Sequence, residues 1–225
     1  MKTNEEVWSI VNELKVLYPD SLCSLEYEKD YELLFSVRLA AQCTDERVNK
    51  VTPALFARFP TLESLAQADV AEVEQYIHST GFFRAKARDI VLASQMLLRD
   101  YGGKVPGTME ELLKLPGVGR KTANLMLGDV FHVPGVVVAD THCIRITGLL
   151  GLTDGSKDPA KVEMQLRQVL PPEESNDFCH RLVLHGRAVC IARRPQCQSC
   201  VLRPWCDHFA KSGQTARGTE GREPA

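Results

Sequence analysis

Four cysteines near the C-terminus, Cys190, Cys197, Cys200 and Cys206, place the tightest limit on how this chain can fold; they stand in the spacing C-x6-C-x2-C-x5-C. Four thiolates within seventeen residues can converge on one point, as a [4Fe–4S] cube or a tetrahedral metal ion requires. A structural zinc site usually takes two short cysteine knuckles, and only one such pair is present. The compact C-x2-C-x2-C run of a ferredoxin is missing as well. One four-iron cluster held by a single loop therefore fits the spacing better than zinc. Five arginines, Arg181, Arg187, Arg193, Arg194 and Arg203, lie between Cys179 and Cys206, with no Asp or Glu among them. The cysteine loop reads as a rigid frame for a basic surface.

The net charge of −2 gives no global hint of nucleic acid, but its distribution is uneven. Residues 1–32 carry eight acids against three bases, and the segment from Cys179 to Cys206 is purely basic. Such polarity can confine phosphate contacts to one face; an ordinary solvated charge pattern would look the same. At 225 residues the chain can bury a substantial core, as one domain or as two small lobes. The opening Met-Lys-Thr-Asn-Glu-Glu lacks the apolar stretch of a signal peptide, and no run approaches membrane-spanning length. Cys23, Cys43, Cys143 and Cys179 show no pairing spacing and are expected to be free buried thiols in a reducing cytoplasm.

Helical periodicity recurs along the chain, and strand alternation does not, so the expected class is all-α. Residues 4–18 place Val7, Ile10, Val11, Leu14 and Leu17 on one face. Further helices are expected at 30–41, from Asp45 to Phe59, from an Asp69 cap to Gly81, and over 83–100 before Gly102-Gly103. Thr108 with Glu111 reads as a capping box for a short helix ending at Leu115. Helices at about 119–130, 141–150, 159–170 and 175–189 follow, the third opened by an Asp158 cap and Pro159. Val136-Val137-Val138 reads as a buried connection, and the polar tail from Lys211 to Ala225 as disordered.

Leu115-Pro116-Gly117-Val118-Gly119-Arg120-Lys121-Thr122-Ala123 lies between two of these helices. Gly117 and Gly119 let the backbone turn tightly and approach another molecule, and the following helix start offers free N–H groups to a phosphate. Val118 can plug the turn onto the core. This is the pattern of a helix-hairpin-helix element, although glycine turns also join helices with no DNA to bind. Lys121 falls in the first turn of that helix, where the macrodipole disfavours a cation; partial burial would act in the same direction. A neutral lysine attacks electrophilic carbon and forms Schiff bases, whereas a charged one contacts phosphate. Asp140, followed by Thr141 and His142, opens the next helix and is the natural carboxylate partner, or simply its cap.

The run Leu115 to Ala123, then Val138-Ala139-Asp140-Thr141-His142, then His185-Gly186-Arg187 leading into the cysteine loop, resembles the endonuclease III family of the helix-hairpin-helix DNA glycosylase superfamily. Ala41-Gln42-Cys43-Thr44-Asp45 and Gly81-Phe82-Phe83-Arg84-Ala85-Lys86-Ala87 fall where that family has its DNA-facing loops, and the match spans about residues 4–208 in order. The resemblance implies a two-lobed fold. A six-helix barrel over 23–134 carries the hairpin, and a cluster lobe is built from 1–22 and 135–210, with 211–225 as a tail and the active site in the cleft between the lobes. It implies a bifunctional DNA glycosylase and abasic-site lyase of base excision repair, acting on oxidised pyrimidines such as thymine glycol. Lys121 matches the lysine that attacks the sugar C1′, and Asp140 the aspartate that activates it and stabilises the cationic sugar. The resulting imine permits β-elimination of the 3′ phosphate.

By the same resemblance Gln42 fills the gap left by a flipped nucleotide, and Phe82 matches a second wedge that is often leucine. Gly117, Gly119, Arg120, His142, Arg193 and Arg194 are expected at the DNA. Cys190, Cys197, Cys200 and Cys206 hold the [4Fe–4S] cluster, and carbonyls of Leu113, Leu115 and Val118 hold a monovalent cation. The implied partner is duplex DNA with damaged bases or abasic sites, and the implied working form is a monomer in the cytoplasm at the nucleoid. The chain departs from the family in one respect: the Lys121–Asp140 interval is one residue longer than usual, and a bulged loop around Val133 to Ala139 is expected to absorb it. Two rivals are a thymine-mismatch glycosylase and a non-catalytic iron–sulfur DNA-binding or redox module. An adenine-removing relative is disfavoured by Lys121 and the short tail.

Overall fold

The computed structural model describes residues 2–20 and 23–217. Among these residues there are twelve α-helices, four 3-10 turns and no strand, as the periodicity requires. From the N-terminus the helices are α1 (Asn4–Leu17), α2 (Asp30–Ala40), α3 (Asp45–Arg58), α4 (Leu62–Ala66), α5 (Val70–Ile77) and α6 (Phe83–Tyr101). They continue with α7 (Met109–Leu112), α8 (Arg120–Asp129), α9 (Thr141–Leu150), α10 (Pro159–Val169), α11 (Ser175–Ala188) and α12 (Asp207–Arg217). The chain divides into two compact units, Cys23–His132 and Met1–Leu22 with Val133–Ala225.

In the unit Cys23–His132, α6 is the long central element and packs against α4, α5 and α2, while α8 packs on α2 and α7. Its buried face carries Ala87, Ile90, Val91 and Leu97. Gly102 ends it in the left-handed conformation (φ 59), and the Gly103 N–H bonds the Leu97 carbonyl at 2.9 Å, a Schellman-type stop. The five-residue α4 was not anticipated. It is too short to show a period, but Thr61 and Ser64 form a reciprocal capping box at its start. At α7 the expected box is half formed. The Thr108 hydroxyl accepts from the Glu111 N–H, and the Glu111 carboxylate takes the same hydroxyl at 2.6 Å rather than the cap N–H. The helix ends at Leu112, and i+3 bonds carry the chain on to Leu115.

In the other unit α1 packs on α11, which also packs on α9, and α12 packs on α9. Val7, Ile10, Val11 and Leu14 are buried as expected, but Leu17 is 42% exposed at the end of α1. Asp158 caps α10 through the Ala160 N–H at 2.9 Å, with Pro159 at its first position. Residues 136–138 form a buried connection without strand pairing. The expected disorder from Lys211 fails in part, because α12 extends to Arg217 and only 218–225 lie outside the described residues. No helix of the described residues is long and apolar enough to cross a membrane.

Candidate active site and cysteine loop

The hairpin is a turn closed by the Val118 N–H on the Leu115 carbonyl at 3.1 Å, with Pro116 and Gly117 at its centre. Gly117 has φ 75, the conformation that a Pro-Gly type II turn demands at its third residue. A methyl there would stand 2.6 Å from both the Arg38 Nε and the Asp89 Oδ2. These two atoms belong to an ion pair, Arg38 Nε donating to Asp89 Oδ2 at 2.8 Å, so the turn rests directly on a charged pair linking α2 and α6. Leu115 is buried and Val118 half-buried, which seats the turn on the core.

Gly119 differs. Its φ of −103 suits any residue, and nothing in the chain lies within 4 Å of a Cβ built on it. It is the N-cap of α8, and no side chain caps the helix, so the first-turn N–H groups are available to an outside acceptor. Arg120 and Lys121 are the first two residues of α8 and both are exposed. Lys121 is thus solvent-exposed at the helix start, without the partial burial that would have added to the effect of its position.

Two further exposed residues of this unit have unusual backbones. Gln42 (φ 57) and Phe82 (φ 47) are left-handed although neither is glycine. Phe82 is 70% exposed. Beneath them lies Lys86, 1% exposed, whose ammonium donates to the carbonyls of Leu39 and Thr80 at 2.8 Å each. Its place on α6 four residues before Ile90, on the buried face, is the signal by which sequence reasoning could have found it.

In the unit containing α9, Asp140 is the N-cap of that helix and its Oδ1 accepts from the Cys143 N–H at 2.6 Å. The second carboxylate oxygen is not used by this cap. Between Lys121 and Asp140 the chain turns at His132 (φ 51) and Gly135 (φ 74), and the Asp140 N–H closes a three-residue turn on the Val138 carbonyl at 2.9 Å. His142 is half-buried. Its Nδ1 lies 3.4 Å from the Arg145 Nη2, and a methyl on Gly186 would overlap its ring, so it packs between α9 and α11.

All four cysteines of the loop line one cavity, together with Ile146, Leu149, Leu150 and Leu202. Arg145 Nη1 donates to the Cys190 Sγ at 3.4 Å, His185 Nε2 lies 3.5 Å from the Cys200 Sγ, and the Cys206 Sγ reaches the Leu149 carbonyl at 3.6 Å. Burial raises the pKa of the Cys190 and Cys200 thiols. Burial first, then the nearby Arg145, draws that of His185 down to about 4. Among the described residues no three His, Cys, Asp or Glu side chains are grouped as a metal-ion site, so the ligand assignment rests on the four thiols sharing one cavity.

The arginines around this loop are not one surface. Arg193, Arg194 and Arg203 are exposed, but Arg181 is 2% exposed and bonds Glu174 and Asp177, each at 3.1 Å. Its partners stand upstream of the acid-free segment, which is why the charge pattern misplaced it. All eight cysteines are free; Cys143 and Cys179 are buried as expected, whereas Cys23 and Cys43 are only half-buried. Burial pushes the Cys23 thiol up to about 12.

The turn, its flanking helices and the uncapped helix start make a helix-hairpin-helix element. Residues 35–172 match the family described as HhH-GPD superfamily base excision DNA repair protein. Endonuclease III of Synechocystis sp. is 49% identical over 193 residues, covering 86% of this chain and 88% of that protein. Endonuclease III of Bacillus subtilis is 40% identical over 190 residues, covering 84% and 86%. A solved structure of a trapped endonuclease III–DNA covalent intermediate superposes with a TM-score of 0.87 at 39% identity, covering 95% of this chain and 100% of that one. A thermostable thymine-DNA glycosylase shares the fold, with a TM-score of 0.80 at 20% identity. The chain belongs to the HhH-GPD superfamily, and within it to the endonuclease III family.

Proposed function

We propose that this protein is a bifunctional DNA glycosylase and abasic-site lyase of base excision repair that removes oxidised pyrimidines from duplex DNA. The observation that carries this reading is the uncapped start of α8 at Gly119–Lys121, in a chain of this family. Lys121 is the second residue of an uncapped helix, and Asp140 caps another with one carboxylate oxygen left over. In this reading the Lys121 amine bonds to the sugar C1′, and the C1′–base bond breaks with its electrons leaving on the base. Asp140 takes the ammonium proton and stabilises the cationic sugar. Opening of the sugar gives an imine, which makes the C2′ proton acidic; its loss expels the 3′ phosphate. Gly117 shapes the hairpin, while the open space at Gly119 and the free N–H groups of α8 suit a phosphate. Arg120, Arg193 and Arg194 are exposed and are read as contacts to further phosphates, and Gln42 and Phe82 as the groups that fill the gap in the duplex. His142 sits within packing and acts on DNA only through the start of α9.

The cavity chemistry fits a [4Fe–4S] cluster on Cys190, Cys197, Cys200 and Cys206: four sulfurs, an apolar wall, and an arginine donating to one sulfur. When bound, the cluster ties the loop together and leaves Arg193 and Arg194 on a fixed frame. A monovalent cation on the carbonyls of Leu113, Leu115 and Val118 would brace the hairpin in the same way. The working form is read as a monomer in the cytoplasm, at the nucleoid. A duplex carrying one thymine glycol tests the function: base release with a nick 3′ to the site is expected. Action on a G·T mismatch with none on thymine glycol would transfer the chain to the thymine-mismatch reading.

A further inference from the structure

Lys86 is the one buried lysine among the described residues, and its position has a cost. An ammonium withdrawn from water loses several kcal/mol of solvation unless its hydrogen bonds are made. Burial draws its pKa below the usual lysine value. Its two acceptors are the ends of two separate elements. The Leu39 carbonyl belongs to the last turn of α2, and the Thr80 carbonyl ends the 3-10 turn His78–Thr80. Helix C-terminal carbonyls lack intrahelical partners and carry negative partial charge, so one cation satisfies two such ends together.

Each of these carbonyls stands just before a strained residue. After Leu39 the chain makes the turn Ala40–Cys43, closed by the Cys43 N–H on the Ala40 carbonyl at 3.0 Å, with Gln42 at φ 57. After Thr80 come Gly81 (φ 69, ψ 152) and the left-handed Phe82 (φ 47), two positive-φ residues in succession, before α6 begins. A left-handed non-glycine residue is strained and persists only where its surroundings enforce it. Gln42 and Phe82 are exposed, so their own side chains supply no such enforcement. What the two turns share is the ammonium beneath them.

We propose that Lys86 is a positioning residue that holds Gln42 and Phe82 in their left-handed conformations by tying the Leu39 and Thr80 carbonyls to one buried ammonium. The proposal rests on the reading of these two side chains as the groups that enter the duplex. It gives that reading a physical basis: a wedge must already be rigid and erect when the nucleotide leaves the stack, or ordering it is added to the cost of flipping.

The test compares two single-turnover rates in the full-length protein: removal of thymine glycol from a duplex, and β-elimination at an abasic site in a single strand, where no gap has to be filled. Lys86→Met is expected to slow the duplex reaction about tenfold, the loss of one enforced conformation, and to leave the single-strand reaction within about twofold. Lys86→Gln, which keeps a donor amide, is expected to recover part of the duplex rate, and it carries the same comparison if the methionine variant does not fold. In a Gln42→Ala/Phe82→Ala background, Lys86→Met is expected to add less than about twofold, because the groups it positions are gone. Equal losses on both substrates, or a full additional loss in that background, would overturn the clamp while leaving the wedges. A Gln42→Ala/Phe82→Ala protein as fast as the parent on duplex would overturn the wedge reading and the clamp together.

Discussion

Gly117 and Gly119 are two residues apart in the hairpin, yet replacing each with alanine should have opposite consequences. At Gly117 the new methyl meets Arg38 Nε and Asp89 Oδ2 at 2.6 Å and Arg38 Cδ at 2.9 Å. Those side chains are held to each other at 2.7–2.8 Å, so neither yields freely. The left-handed backbone adds about 1–2 kcal/mol for any residue with a Cβ, and spreading a partly buried ion pair adds up to about 1 kcal/mol more. The expected loss is therefore about 1–3 kcal/mol, a fall in melting temperature of roughly 4 °C or more for a unit of this size. At Gly119 the backbone is ordinary and the space is open. The poorer cap that alanine makes roughly cancels its gain through the unfolded chain, leaving stability within about 1 kcal/mol. Its methyl instead stands where a phosphate would approach, and affinity for a duplex with an uncleavable abasic analogue should fall by about tenfold or more. Thermal melts and fluorescence anisotropy read the two effects separately. A Gly117→Ala protein that melts with the parent would refute the steric argument, and a Gly119→Ala protein that binds as tightly as the parent would refute close approach at the hairpin.

Asp140→Asn should keep the helix cap, since asparagine caps as well as aspartate, while slowing base removal by about a hundredfold or more; an unchanged rate would point to another carboxylate. Replacing Arg193 and Arg194 by alanine should flatten the slope of log K against log salt by about 2, the release expected for two phosphates, and an unaltered slope would place those contacts elsewhere. Arg181→Ala should leave that slope alone and destabilise its unit by about 1–3 kcal/mol, because the partly buried Glu174 and the Tyr18 carbonyl lose a buried donor; a reduced slope with intact stability would return Arg181 to the DNA surface. Cys197→Ser should yield protein depleted of iron and colour, with the unit holding α9 and α11 melting earlier; full iron content would overturn the ligand assignment.

The helices were legible wherever a period ran for three turns or a cap marked an end. The Asp69, Thr108, Asp140 and Asp158 caps all stand where the sequence puts them. What stayed hidden was short or depended on distant partners. Helix α4 has five residues, too few for a period, and α12 begins in a segment whose polarity resembles a tail. Arg181 reads as surface charge because its acids lie outside the acid-free segment Cys179–Cys206, and Lys86 as part of a DNA-facing loop because its two acceptors are backbone carbonyls. The hairpin and the cysteine spacing were legible because each is local: a Pro-Gly turn before a helix, and four thiols on one loop.

The central claim is that Lys121 forms a Schiff base with a damaged nucleotide, and borohydride tests it most directly. Duplex DNA carrying a single thymine glycol is incubated with the protein, reduced, and examined for a covalent adduct whose attachment point is mapped by mass spectrometry. An adduct on Lys121 is expected, and it should disappear in Lys121→Ala while DNA binding persists. An adduct that survives that substitution, or base release with nothing trapped, would contradict the claim.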